Sequence, residues 1–202
     1  GGAWSKIASP TTENLFGVAF ARSNYGFAAG ANGALLRWNG STWSTVSSTT
    51  TSWLRTVGFV SGSDGANAWA AADMAGVGLF IQWNGSAWKS IFGGKTHFFG
   101  GTVYDLAMLN AGEGWAVGAR LKGMSMSGQA VHWDGSQWTE VAAPDPQLFA
   151  LDMLGSADGW AAGDDGALVH WDGRAWSLWP DSPTTERLRG ILQDFAGSEE
   201  DA

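Results

Sequence analysis

Short runs in which apolar and polar residues alternate recur along the chain in groups of four, separated by turns rich in Gly, Asn and Asp. The first run of each group covers 15–20, 54–59, 103–108 and 148–153. The second, an aromatic residue followed by Ala and other small residues, covers 27–30, 69–72, 115–118 and 160–163. The third covers 34–38, 79–83, 129–133 and 167–171, and the fourth 42–46, 87–91, 137–141 and 175–179. Runs of this length and period read as β-strands. The Asn-Gly or Asp-Gly between the third and fourth runs reads as a hairpin turn, because both residues tolerate positive φ. No segment places apolar residues at helical spacing between caps, so no long helix is expected.

The groups are copies of one unit. Each carries x-Trp-[Asn/Asp]-Gly-x-x-Trp, with its two Trp at Trp38 and Trp43, Trp83 and Trp88, Trp133 and Trp138, and Trp171 and Trp176. Upstream stand Phe27-Ala28, Trp69-Ala70, Trp115-Ala116 and Trp160-Ala161. All 14 Trp except Trp53 and Trp179 fall in these columns, counting Trp4 as a lone fourth-strand Trp. The first Trp recurs after 45, 50 and 38 residues. Four strands in a unit of that length predict an all-β fold, a β-propeller, with full blades at 15–46, 53–91, 103–141 and 148–179. The eight tandem Trp are structural in this reading, because every blade needs them. Leu36, Ile81, Val131 and Val169 share a face with the Trp two residues on, and Arg37, Gln82, His132 and His170 take the other face.

Segment 4–7 reads as an orphan fourth strand and segment 188–195 as an orphan first strand. The chain therefore reads as a single propeller domain, or an excerpt of a larger propeller. The alternatives are a complete chain with frayed ends and an assembly closed by other copies. Open blade faces and unpaired edges recruit other chains. The expectation is that the chain is not a stable isolated monomer.

Composition narrows the function classes. The 202 residues carry a formal net charge of -8, which disfavours nucleic acid as a partner. There is no Cys, which excludes disulfides, thiol catalysis and cysteine-ligated metals. No apolar run approaches the roughly 18 residues of a membrane span. No basic segment followed by an apolar one opens the sequence as a signal peptide would. Only 15% of residues are charged. With turns rich in Ser, Thr and Gly, this suits a secreted or cell-surface scaffold of bacterial type.

The strand motif of Gly114-Trp115-Ala116-Val117-Gly118 and the turn His132-Trp133-Asp134-Gly135-Ser136-Gln137-Trp138 resemble two related groups of propellers. These are the sialidase-like Asp-box proteins and the photosystem II stability/assembly-factor family. The turns depart from an Asp box in their Asp-to-Trp spacing, in lacking the preceding Ser or Thr, and in the Asn of two blades. The resemblance implies a propeller fold. It implies two kinds of function, assembly through protein binding or action on glycans.

A sialidase-like site would need convergent Arg, a Tyr nucleophile and carboxylates. The chain has only Tyr25 and Tyr104, and its Arg residues are scattered. Tyr104 and Asp105 are neighbours on a strand and are expected to face opposite ways. Asp134, Asp158 and Asp172 sit in repeat turns, which explains them. His132 and His170 hold one repeat position and are assigned to packing or hydrogen bonding. Gly163-Asp164-Asp165-Gly166 lacks the alternating donors of a calcium loop and reads as a turn. No metal or cofactor is expected.

Two insertions break the repeat. Segment 92–102 brings Lys95, His97, Phe98 and Phe99, and the turn between the second and third strands of the same blade brings Arg120, Lys122, Met124 and Met126. The start of a first strand and the end of a second lie on one face of the ring, so the two insertions are expected side by side, either as a basic, apolar binding site or with Phe98, Phe99 and the two Met folded under to cover the blade edge. The reading is a non-catalytic scaffold for protein–protein binding or assembly, outside the cell, with a protein or other copies of itself as partner. The alternative is a carbohydrate-active enzyme or lectin of sialidase-like type, with a glycan as partner. Aromatic side chains and two or more carboxylates converging in the axial pocket would favour the enzyme, and small or repeat-equivalent residues there would favour the scaffold.

Overall fold

The computed structural model describes residues 5–74, 77–91 and 101–192. They form four separate antiparallel sheets, each a meander of four strands in chain order. Blade 1 is β1 (Leu15–Arg22), β2 (Tyr25–Gly30), β3 (Leu35–Trp38) and β4 (Trp43–Thr45). Blade 2 is β5 (Trp53–Phe59), β6 (Ala68–Met74), β7 (Val77–Trp83) and β8 (Trp88–Ile91). Blade 3 is β9 (Gly101–Asn110), β10 (Glu113–Lys122), β11 (Ser125–Trp133) and β12 (Trp138–Val141). Blade 4 is β13 (Leu148–Gly155), β14 (Asp158–Gly163), β15 (Leu168–Trp171) and β16 (Trp176–Leu178). The first strands β1, β5, β9 and β13 contact one another in succession and form the inner wall of the arc. The only helical turns among the described residues are Ala31–Gly33 and Asp164–Gly166, which link the second and third strands of blades 1 and 4.

Each hairpin between third and fourth strands is built the same way. The side-chain oxygen of Asn39, Asn84, Asp134 or Asp172 accepts the backbone N–H groups two and three residues on. The following Gly40, Gly85, Gly135 and Gly173 have φ between 86 and 100°. That region favours glycine, which explains the invariant Gly within the repeat. The turn sets the two Trp directly opposite each other, as in Trp133 and Trp138.

Between blades, the aromatic of a second strand inserts against the tandem Trp pair of the next blade. Phe27 lies 5.3 Å from Trp83 and 5.1 Å from Trp88, centroid to centroid. Trp69 lies 4.9 Å from Trp133 and 5.7 Å from Trp138. Trp115 lies 4.5 Å from Trp171 and 5.5 Å from Trp176. The small residues beside each aromatic, Ala70, Ala116 and Ala161, are fully buried and let the sheets approach. The core is thus three equivalent interfaces rather than one central cluster.

The described parts of the two orphan segments, 5–7 and 188–192, form no ladder. An orphan strand needs a neighbouring strand to exchange hydrogen bonds with, and none is offered among the described residues. Leu188 does donate its N–H to the Gly163 carbonyl at 2.9 Å, so this segment begins beside blade 4.

Candidate binding face

Every inner strand has a register shift at the second residue of the repeat's first run, which is the second residue of β1 and β13, the third of β5 and the fourth of β9. The ladder skips Phe16 in blade 1, Arg55 in blade 2, Tyr104 in blade 3 and Phe149 in blade 4. A β-bulge of this kind sets two residues against one on the partner strand and re-aims a side chain. The consequence is visible at Tyr104 and Asp105. Strict alternation would send them to opposite faces, yet both line one axial recess. The expectation of opposite faces is corrected by the bulge.

The recess measures about 330 Å³. All four bulged residues line it, together with Thr56, Asp105 and Arg189. Arg189 is the second residue of the segment that starts at Leu188, so it continues the column. The walls are aromatic and cationic. The Arg55 guanidinium sits 5.1 Å from the Phe16 ring centre and 5.0 Å from that of Trp53, and it pairs with Asp73 at 3.1 Å. Arg187 and Arg189 lie over Phe149 at 4.9 and 5.3 Å, and Phe149 touches Tyr104 at 4.9 Å. Arg187 also pairs with Asp164.

Asp105 is the one carboxylate among the described lining residues. It accepts the Leu106 N–H at 2.9 Å, the Leu151 N–H at 2.9 Å and the Thr56 hydroxyl at 3.1 Å. One side chain therefore ties the inner strands of blades 2, 3 and 4 together. Burial pushes its pKa above the ordinary carboxylate value, against the pull of these three hydrogen bonds.

The inner strands begin at the same end of the ring where the second strands finish, so the turns between second and third strands rim the recess. In blade 3 this turn is a long hairpin, paired from Gly114–Trp133 out to Lys122–Ser125. It carries four of the eight residues singled out in the sequence. Met124 and Met126 are exposed at its tip. Arg120 pairs with Glu140, and Lys122 with Asp145 at 3.0 Å. Gly101 pairs with Arg120, so the connection into β9 ends beside this hairpin. Lys95, His97, Phe98 and Phe99 lie outside the described residues.

His132 and His170 pack against aromatic rings. His132 lies 4.5 Å from Trp115, and His170 lies 4.5 Å from Trp160 with Nε2 at 2.8 Å from an Asp158 carboxylate oxygen. No cluster of potential metal ligands occurs among the described residues. The described helices include none long and apolar enough to cross a membrane.

No family model matches the chain, and no curated protein matches it. Solved structures do. YCF48 bound to a D1 peptide is 17% identical, with a TM-score of 0.65 over 91% of this chain and 58% of that one. YCF48 from Cyanidioschyzon merolae is 16% identical, with a TM-score of 0.65 over 88% of this chain and 59% of its own. A GH74 enzyme of Niastella koreensis is 19% identical, with a TM-score of 0.57 over 87% of this chain and 25% of its own. The chain thus spans under three fifths of the two YCF48 chains. Identities this low speak to fold alone. They show that the chain has the β-propeller fold of the assembly-factor and sialidase-like proteins that its repeat resembles.

Proposed function

We propose that the protein is a non-catalytic binding scaffold that holds a segment of another protein on the face where its inner strands begin. The observation that carries this reading is the bulge column. Four equivalent positions, each re-aimed into one recess, carry Phe, Arg, Tyr and Phe. Packing alone would repeat one residue type, as it does at the tandem Trp. Aromatic rings and guanidinium groups are the side chains that anchor protein interfaces. The blade 3 hairpin extends the surface, with Met124 and Met126 as apolar contacts and Arg120 and Lys122 as charged ones. We assign Lys95, His97, Phe98 and Phe99 to the same rim from their place in the repeat. YCF48, which shares the fold, has been solved with a D1 peptide bound. An extracellular or cell-surface setting, read from composition, belongs to the same proposal.

Glycoside hydrolysis ordinarily needs two carboxyl groups flanking the bond. The recess offers Asp105, whose oxygens are engaged by three donors. Selection from a displayed peptide library tests the reading. Selected peptides should bind the wild-type protein and lose about tenfold or more in affinity to Phe149→Ala or Arg55→Ala, the loss typical of an anchor residue. Release of reducing sugar from a glycan panel, abolished by Asp105→Asn, would establish the enzyme instead.

A further inference from the structure

Each blade ends in an outer strand that pairs on one side only: β4, β8, β12 and β16. An open strand edge is a template for another chain, and proteins blunt it with charged side chains or Pro. Three of the four edges are blunted, in the strand or in the connection that follows. Lys89 stands in β8, and Glu140 in β12 with Pro144 and Pro146 after it. Pro180, Asp181 and Pro183 follow β16. The edge of blade 1 has neither device: residues 38–54 contain no charged side chain and no Pro.

The ladder of β4 leaves a defined set of backbone groups free. Asn39 donates its N–H to the Thr42 carbonyl at 3.3 Å, and Val46 donates its N–H to the Leu35 carbonyl at 2.9 Å. Thr42 and Val46 therefore face β3, and by the alternation of an antiparallel pair so does Ser44. The N–H and C=O groups of Trp43 and Thr45 point the other way, to the open edge. Ser44 and Thr45 are exposed. A groove of about 490 Å³ lies between this edge and blade 2. One wall is Arg37, Ser44 and residues 45–49, and the other is Ser86 of the blade 2 hairpin with Trp83 and Trp88.

Arg37 holds the position that Gln82, His132 and His170 take in the other blades. Gln82 bonds Asn67 at 3.1 Å, and His170 meets Asp158 at 2.8 Å. Arg37 instead lies over the Tyr25 ring at 4.7 Å and pairs with no carboxylate among the described residues. It is exposed, and it is the one charged side chain among the described residues that line the groove.

We propose that the outer edge of blade 1 takes up an extended segment of another protein as a fifth strand, with an Asp or Glu of that segment set against Arg37. The segment's backbone pairs with the outward groups of Trp43 and Thr45, which supplies affinity whatever its sequence. Its alternate side chains turn into the groove, where the hydroxyls give hydrogen bonds and Arg37 selects a carboxylate. The occupant's charge follows from the unpaired cation in the wall. The edge lies on the outside of the arc, so this inference is independent of the axial face.

A displayed library of ten-residue peptides, with Thr or Val fixed at every second position and the others varied, tests it. Selected peptides should share an Asp or Glu at one position and bind the wild-type protein. Thr45→Pro removes an outward N–H and no ladder bond. It should lower their affinity about tenfold or more, the scale of one or two lost backbone hydrogen bonds. Arg37→Gln, which installs the residue that blade 2 has there, should lower it roughly three- to fivefold, as loss of an exposed ion pair does. The same variant should leave a peptide with Gln at the acid position unaffected. N-methyl groups on alternate amides of a selected peptide should abolish binding in one phase and spare it in the other, a readout that needs no protein variant. Selection of no peptide, or of peptides without a common acid, would overturn the proposal. So would affinity unchanged by Thr45→Pro and by N-methylation. Peptides that Phe149→Ala releases belong to the axial recess and would overturn it too. A wild-type dimer in sedimentation that Thr45→Pro makes single would give the edge to a second copy instead.

Discussion

The wall between blades 2 and 3 and the axial recess are built from the same repeat and obey different rules. At the wall, Trp69 meets Trp133 and Trp138, and Phe80 stacks on Trp138 at 4.1 Å with an interplanar angle of 9°. The other two walls repeat the insertion of the second-strand aromatic against the Trp pair, while the place of Phe80 is taken by Leu35 in blade 1 and Ala130 in blade 3. In the recess the backbone repeats but the chemistry does not. Phe16, Arg55, Tyr104 and Phe149 occupy equivalent bulges, and nothing in blade packing requires them to differ. Uniformity marks what holds the arc together, and variation at a fixed geometry marks what it presents.

The comparison breaks most visibly at Trp138, which is 1% exposed. Trp138→Ala opens a cavity between blades 2 and 3 and should cost about 3–5 kcal/mol. For a chain of this length that lowers the melting temperature by roughly 10 °C. Tyr104→Ala, in the recess, should cost under about 1 kcal/mol and act on peptide binding instead. Equal losses of stability in denaturant titrations would mean that the recess is packing after all.

A second contrast uses one column. Leu106 is buried between blades 2 and 3, and Val18 holds the equivalent place on the open face. Leu106→Ala should cost about 2–5 kcal/mol. Val18→Ala, at a residue 60% exposed, should cost under about 0.5 kcal/mol, as surface substitutions do.

The blades were legible because each Trp-[Asn/Asp]-Gly-x-x-Trp joins a turn that needs glycine to two side chains that must pack. The columns likewise showed which face of each sheet is apolar. The bulges were not legible. The skipped residues are neither Gly nor Pro, and the expectation that Tyr104 and Asp105 diverge rests on the period of two that a bulge interrupts. The recess was therefore missed as a site, along with Arg55 and Arg189. The blade 3 residues read as a turn between the second and third strands instead prolong those strands, which pair out to Lys122 and Ser125. The pairing of Arg120 with Glu140 and of Lys122 with Asp145 depends on the register of neighbouring segments, which no local pattern encodes.

Asp105 sharpens the comparison, because it belongs to the recess yet ties three blades. Asp105→Asn would turn an amide N–H₂ towards either the Leu106 or the Leu151 N–H and leave that donor without an acceptor, at about 1–3 kcal/mol for each buried group left unpaired. Its pH signature has a definite sign. Burial raises the folded pKa above the unfolded value of 3.8. The folded state then holds the proton more tightly, and stability falls as pH rises from the unfolded value through the raised one. Chemical denaturation across that window should show the fall in wild type and a flatter profile in Asp105→Asn.

The smallest effect is expected at the hairpin turns, and its sign is opposite. Asp134 and Asp172 do in blades 3 and 4 what Asn39 and Asn84 do in blades 1 and 2. The Ser136 hydroxyl, then the N–H groups of Gln137 and Ser136, hold Asp134 down to about 2. The N–H groups of Ala175 and Arg174 lower Asp172. Each depressed carboxylate contributes stability that is complete above its unfolded pKa of 3.8 and disappears as pH falls through the folded one. Asp134→Asn with Asp172→Asn keeps an acceptor at both turns while removing both titrations. The doubly substituted protein should melt close to wild type at neutral pH and lose less stability than wild type between pH 4 and about 2. Because both carboxylates are exposed, salt should leave this difference largely intact: it comes from hydrogen bonds within each turn rather than from distant charges. An acid limb identical in the two proteins would assign it to other carboxylates and leave Asn and Asp equivalent in every turn.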